Sequence, residues 1–144
     1  MGNFVYIDVK EGAQYLPVYA TDGSAAADIQ SIKSYAIEPG ERVLVETDLY
    51  FQIPEGYEIQ IRSRSGLAWK HGVVVLNAPG TIDSDYRGEI KVILINMGKE
   101  TYVIEKGDRV AQMVVAPVVQ ARFDLVEFIK DSTRGSGGFG STGK

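Results

Sequence analysis

Short runs in which apolar and polar residues alternate, cut every few positions by glycine or proline, constrain this chain more than any other feature. The clearest run is Tyr57 to Arg62, where Tyr57, Ile59 and Ile61 point one way and Glu58, Gln60 and Arg62 the other. Side chains alternate across a strand, not along a helix, so this run is a half-buried strand. The same pattern predicts strands at Phe4 to Val9, Arg42 to Thr47, Tyr50 to Ile53, Val73 to Leu76, Glu89 to Ile95, Thr101 to Ile104 and Ala111 to Ala116. Between them, Pro39-Gly40 suits the centre of a type II turn, and Pro54 and Gly56 bracket another bend. Only Ser65 to His71 reads as able to make a helical turn. Many short strands joined by such turns predict an all-β sandwich or barrel around a single core, which 144 residues are enough to build.

Composition removes several kinds of function. A net charge of -4 gives no general grip on nucleic-acid phosphates, so any phosphate binding has to be local. With no cysteine, disulfides, thiolate zinc sites and cysteine nucleophiles are excluded. His71 is the only histidine, and nothing beside it resembles a nucleophile elbow; it reads as structural or surface, and Trp69 as a packing or interface residue. The opening MGNFVYIDVKEG has no basic stretch followed by a long apolar one, and no run approaches the roughly 18 apolar residues of a membrane span, so a cytoplasmic protein is expected. Met1-Gly2 does not begin a myristoylation signal, because Tyr6 stands where that pattern needs serine or threonine.

One internal echo links Ile37-Glu38-Pro39-Gly40-Glu41-Arg42-Val43 to Ile104-Glu105-Lys106-Gly107-Asp108-Arg109-Val110. The simplest reading is two hairpins with the same turn chemistry; the other is a duplicated half-barrel. From Arg134 the composition changes to RGSGGFGSTGK, so the chain divides into one domain over 1–133 and a flexible glycine-rich tail over 134–144. The tail contains Gly135, Gly137 and Gly140 at dinucleotide-loop spacing, and Gly138, Gly143 and Lys144 at P-loop spacing. Both motifs work by feeding a helix whose first N–H groups face a phosphate, and here no helix follows. By composition alone the tail reads as a disordered linker; the alternative uses its parts on a nucleotide, with Arg134 offering a fork of donors, Ser141 and Thr142 hydroxyls, Phe139 a flat face, and the glycines free N–H groups.

Two further segments carry chemistry. Arg62-Ser63-Arg64-Ser65-Gly66 gathers arginines, hydroxyls and a permissive glycine at a strand end. It reads either as a charged strand end with a helix cap at Ser65 or as an oligophosphate cradle. Asn77 to Gly88, NAPGTIDSDYRG, reads as a hairpin in which turn formation does not require Asp83, Asp85, Tyr86 and Arg87 together. Asp83 follows the β-branched Thr81-Ile82 on an ordered strand end, where a carboxylate can be aimed at one water as general base. Asp85 reads as a structural partner of Arg87. Tyr86 reads as core packing or as a face that stacks on a sugar.

Taken in order, these pieces resemble the five motifs of the trimeric dUTPase family from about position 24 onward. Ser24-Ala25-Ala26-Ala27-Asp28-Ile29 looks like the first, Arg64-Ser65-Gly66-Leu67-Ala68 the second and Gly80-Thr81-Ile82-Asp83-Ser84-Asp85-Tyr86-Arg87-Gly88 the third. Gly107-Asp108-Arg109-Val110-Ala111-Gln112 looks like the fourth, and the tail from Arg134 to Gly143 the fifth. Ala26-Ala27 departs from the Gly-Tyr or similar pair usual before the first-motif aspartate, a change that bears on local packing rather than chemistry. The resemblance implies a distorted jelly-roll-like β-barrel with one short helix, and a homotrimer that exchanges the C-terminal strand and the glycine-rich tail. Its sites would lie at subunit interfaces. The activity implied is hydrolysis of dUTP to dUMP and pyrophosphate, which lowers dUTP and supplies dUMP for thymidylate synthesis, with Mg2+ as cofactor and neither nucleic acid nor membrane as partner. By the same resemblance, Asp83 is the base that activates water. Asn77 and the hairpin backbone at Gly80, Thr81 and Ile82 read uracil, Lys91 joins the substrate-binding residues, and Tyr86 is the wall against deoxyribose. Arg64, Ser65, Gly66 and Gln112 hold phosphates, Asp28 acts near magnesium through water, and Arg134, Phe139, Gly140, Ser141 and Thr142 form the lid. The runner-up is a dCTP deaminase, or a bifunctional deaminase and dUTPase, of the same fold; a nucleotide-sensing binding module is the non-enzymatic alternative.

Overall fold

A computed structural model describes residues 3–143; Met1, Gly2 and Lys144, where the two expected regions begin and end, lie outside the described residues. In chain order the elements are β1 (Asp8–Val9), β2 (Val18–Tyr19), β3 (Ala27–Gln30), β4 (Tyr35–Ile37), β5 (Arg42–Gln52), β6 (Tyr57–Arg62), α1 (Ser65–His71), β7 (Val73–Val75), β8 (Gly80–Ile82), β9 (Glu89–Asn96), β10 (Tyr102–Ile104) and β11 (Arg109–Pro117). The strands form a four-stranded sheet in the order β1-β5-β9-β7, a five-stranded sheet in the order β2-β3-β11-β6-β8, and a two-stranded ribbon of β10 and β4. This is the nearly all-β, jelly-roll-like architecture expected, with α1 the one helix among the described residues. No helix of the described residues is long and apolar enough to cross a membrane.

Alternation explains which side chains fill the core. One large sheet turns Val45, Leu49, Phe51, Ile90, Val92 and Leu94 inward and the other Ala27, Ile29, Ile59, Ile61, Ala111 and Met113, none more than 4% exposed. Each Ile, Leu or Val buried this way stabilises the fold by about 1.5–3 kcal/mol relative to exposure, and that joins the sheets. Ile37 and Ile104, on the two-stranded ribbon, belong to the same core.

Three expectations are corrected. Only Asp8–Val9 of the run from Phe4 pairs with a strand, and Phe4 and Tyr6 are exposed, because β5 ends at Gln52, opposite Asp8. The runs Arg42 to Thr47 and Tyr50 to Ile53 are one strand, β5, bent in the middle. Its pairing with β9 jumps from Glu46↔Lys91 to Leu49↔Ile90, so Thr47 and Asp48 are extra on the β5 side. Asp48 takes a left-handed φ of 58° to allow this, and Glu89 Oε2 accepts the freed Thr47 and Asp48 N–H groups at 3.2 and 3.0 Å.

The third correction concerns the echo. Gly40 and Gly107 have φ of 83° and 91°, and the turns close alike, Glu41 N to Glu38 O and Asp108 N to Glu105 O, each at 3.0 Å. Neither turn makes a hairpin: β4 pairs with β10, with Ala36 opposite Val103, and each turn passes the chain into a large sheet. The local two-fold extends to the strands that precede. Gly40 N–H donates to Asn96 O and Gly107 N–H to Ser31 O, both at 2.7 Å, while Asn96 and Ser31 return bonds to Glu41 O and Asp108 O at 3.0 and 2.9 Å. Ser31 and Asn96 are fully buried polar residues occupying equivalent places. The shared turn chemistry set the glycine conformations, while hydrogen bonds from β3 and β9 decided the pairing.

Candidate active site

The hairpin that carries Asp83 is open. β8 pairs with β6 through Ile59↔Ile82, Gln60↔Thr81 and Ile61↔Gly80, and among the described residues no strand lies on its other edge. β9 meets β7 only from Leu94 to Asn96, so the first half of β9 also has a free edge. Between the two lies a cavity of about 350 Å³ lined by Thr81, Ile82, Asp83, Tyr86, Glu89 and Lys91. A recess of about 70 Å³ continues past Gly80 to Asn77 and Ile61. Backbone N–H and C=O groups left without strand partners need others, and the edge of a planar base is one that fits between two strands.

Asp83 stands exposed at the end of β8, where Tyr86 N–H donates to its carbonyl at 3.2 Å and closes a turn. Arg87 does not pair with Asp85 as expected. Its Nη1 donates instead to the carbonyls of Ser84 at 2.7 Å and Tyr86 at 3.2 Å, because the turn points both oxygens at it. Tyr86 is 45% exposed and so is not core packing; its hydroxyl donates to the Glu89 carbonyl at 2.9 Å. Lys91, across the cavity, lies 4.0 Å from Glu89 Oε1.

A second cluster forms where β3, β11 and β6 end together. Antiparallel register puts Asp28 beside Gln112 and Gln112 beside Arg62. Arg64 Nε donates to Asp28 Oδ1 at 3.2 Å, and Arg109 Nη1 lies 3.6 Å from Asp28 Oδ2. Gln112 Nε2 donates to Ser63 O at 3.1 Å, and Ser63 Oγ accepts Val75 N–H at 2.9 Å. In the sequence Ser63 stands only as one hydroxyl of the Arg62 to Gly66 segment and Arg109 as one residue of the Gly107 to Gln112 motif; their contacts with Gln112, Val75 and Asp28 depend on how distant strands are placed. Ser65 is not the helix cap. It is the first helical residue, Arg64 occupies the cap position without a side-chain bond, and Ser65 and Gly66 are exposed. His71 belongs to neither cluster: it stacks on Tyr102, ring centroids 4.7 Å apart, and burial pushes the Tyr102 phenol above its ordinary value. Trp69 is 89% exposed.

Among the described residues, no group of three or more His, Asp or Glu side chains converges to hold a metal. Asp28 has both oxygens turned to guanidinium groups. Magnesium arriving with a triphosphate takes most of its ligands from phosphate and water, and Asp28 as one outer carboxylate fits that case but not a site made of protein ligands alone.

The tail forms a third group. Arg134 Nε donates to Gly137 O at 2.7 Å, Phe139 has a φ of 52° and is fully exposed, and among the described residues every hydrogen bond of 134–143 stays within 132–143. Ahead of it, the segment from Val118 runs without strand partners and exposes Val119, Phe123, Leu125, Phe128 and Ile129. One chain therefore does not bring the three groups together. Along β6, the rung of Arg62 and the rung of Ile59 beside Ile82 are roughly 10 Å apart, with Asp83 farther still.

A family model described as dUTPase matches residues 13–143. The chain belongs to the dUTPase family. It is 60% identical over 129 residues to the deoxyuridine 5'-triphosphate nucleotidohydrolase of Nautilia profundicola, covering 90% of this chain and 91% of that one. It is 54% identical over 142 residues to the protein of the same name from Chlamydia pneumoniae, covering 96% and 97%. Among solved dUTPase structures, a mutant from Staphylococcus bacteriophage 80alpha with dUpNHpp superposes with a TM-score of 0.88 at 29% identity, over 96% of this chain and 99% of that one. A mutant dUTPase from phage phi11 of S. aureus, described with a structural Mg(II) ion, gives 0.78 at 26% identity, over 85% and 97%. All three groups of residues lie within the matched region.

Proposed function

We propose that the chain hydrolyses dUTP to dUMP and pyrophosphate, with Asp83 as the base. The observation that carries this reading is the open hairpin, whose cavity has free strand edges on two sides, Asp83 at its mouth and Tyr86 on its wall. The names of the relatives at 54–60% identity support the same substrate. In the proposed reaction Asp83 takes a proton from water, the water oxygen bonds to the α-phosphorus, and the bond to the bridging oxygen breaks as pyrophosphate leaves. Gly80, Thr81 and Ile82, with Asn77 behind them and Lys91 opposite, would hold uracil by backbone groups in a space too narrow for the methyl of thymine. Arg64, Ser65, Gly66 and Gln112 would hold the phosphates, with Asp28 fixing Arg64. Magnesium bound with the substrate would offset part of the triphosphate charge, with Asp28 its outer contact through water.

The three groups would meet in a homotrimer. The exposed apolar arm beyond Val118 supports exchange of the C-terminal strand with a neighbour, which would deliver Arg134, Phe139, Gly140, Ser141 and Thr142 as a lid over another chain's nucleotide. Incubating the purified protein separately with dUTP and dCTP tests the activity. Pyrophosphate release from dUTP is expected; ammonia from dCTP with dUTP untouched would overturn it.

A further inference from the structure

Tyr86 lies folded over the backbone that follows it. Its hydroxyl reaches the Glu89 carbonyl, and the ring passes so near Gly88 that a Cβ there would sit 2.4 Å from Oη, 2.6 Å from Cζ and 3.0 Å from Cε1. The Gly88 backbone is outside the left-handed region, so the position needs glycine for space and not for its dihedral. The receiving carbonyl is itself fixed. Glu89 begins β9, its carboxylate is fastened to the Thr47 and Asp48 N–H groups of the β5 bulge, and the Thr47 hydroxyl donates to the carbonyl of Ile90.

We infer that Gly88 and the Glu89 carbonyl form the seat of Tyr86 and thereby set the preference for deoxyribose over ribose, although neither has to touch the nucleotide. The inference rests on the proposed function, in which Tyr86 faces the sugar. A half-exposed tyrosine turns about single bonds among staggered positions. A wall that turns aside accepts a 2′-hydroxyl; a wall wedged against its own backbone and tied at its tip rejects it. Two features of the seat act on the same ring, and each can be removed separately: Gly88→Ala fills the space and Tyr86→Phe cuts the tie.

The test is kcat/KM for dUTP and for UTP in the intact protein and in Gly88→Ala, Tyr86→Phe, Tyr86→Ala and the Gly88→Ala/Tyr86→Ala double variant, with folding checked by circular dichroism. Gly88→Ala is expected to lower the dUTP-to-UTP ratio by about tenfold or more, the range one misplaced contact produces in a pocket. Tyr86→Phe should shift it the same way by less. With Tyr86→Ala already present, adding Gly88→Ala should change the ratio no further, since no ring remains to displace. An unchanged ratio in Gly88→Ala, or an equal fall with and without the tyrosine ring, overturns the inference. Should Gly88→Ala fail to fold, Tyr86→Phe decides, and a parent-like ratio there overturns it. An unmodified protein that hydrolyses dUTP but not UTP upholds the underlying function whichever way the variants fall. One that leaves dUTP intact sinks that function, and the inference with it.

Discussion

Asp28 holds Arg64: the guanidinium Nε meets the carboxylate Oδ1 at 3.2 Å, with the Arg64 side chain 25% and the Asp28 side chain 15% exposed. A pair so far withdrawn from water fixes the arginine in one direction, and Arg109 on the other carboxylate oxygen keeps the carboxylate from turning with it. Replacing Asp28 by alanine leaves two cations facing each other with no anion between them. The expected cost is roughly 1–3 kcal/mol of stability, read by urea unfolding, together with a higher KM for dUTP. An unchanged KM would mean that Arg64 needs no such support.

Asp83→Asn keeps size and shape but cannot accept the proton from water. Turnover should fall by about 10²–10⁴-fold while nucleotide affinity by titration stays near that of the parent. Near-normal turnover would remove Asp83 from its role as base.

Deleting residues 134–144 removes no core residue and no hydrogen bond to the described body of the fold. The shortened protein should unfold at the parent temperature and elute as the same oligomer, with turnover strongly reduced. Full activity in the deletion would reduce the tail to a linker.

Separation of Arg64 from Asp83 within one chain leads to a complementation experiment. Trimers assembled from a mixture of Arg64→Ala and Asp83→Asn chains should regain activity that neither variant has alone, approaching about a quarter of the parent when the chains mix at random and each site takes the two residues from different chains. No recovery from co-refolded mixtures would argue for sites built within single chains.

Where the gap β9 leaves meets the end of α1, Gly98 lies against the His71 carbonyl, and an added Cβ would sit 2.4 Å from that oxygen. Gly98→Ala therefore forces backbone apart rather than a flexible side chain. A loss of about 1–3 kcal/mol is expected by thermal or denaturant unfolding, without a change in the dUTP-to-UTP ratio.

Features set by neighbours in sequence were legible from the start. Tyr57–Arg62 alternates over its full length and is β6, and Ser65–His71 is the helix with the same bounds, closed by Gly72 in a left-handed conformation with φ 68°. Ala27–Gln30 is four residues long, too short for its alternation to stand out in the sequence, yet it pairs on both sides. The double insertion in β5 left no sequence sign, because an even number of extra residues keeps Val45, Thr47, Leu49 and Phe51 on one face. Of the site, the residue types at Asp83, Tyr86, Arg64 and Gln112 were legible, and the two clusters they form were not, because register across β3, β11 and β6 decides the grouping. The role of Glu89 shows no sign in the sequence for a similar reason: its partners, Thr47 and Asp48, are far back along the chain.

The β5 bulge also limits how this protein can change. Two residues added or removed near Thr47 would move the strand along its partner and still return the same side chains to the core. One would invert everything from Leu49 onward, carrying Phe51 out to solvent and Gln52 in. Length in this strand is therefore a matter of parity, and homologous chains that differ here should differ by even steps.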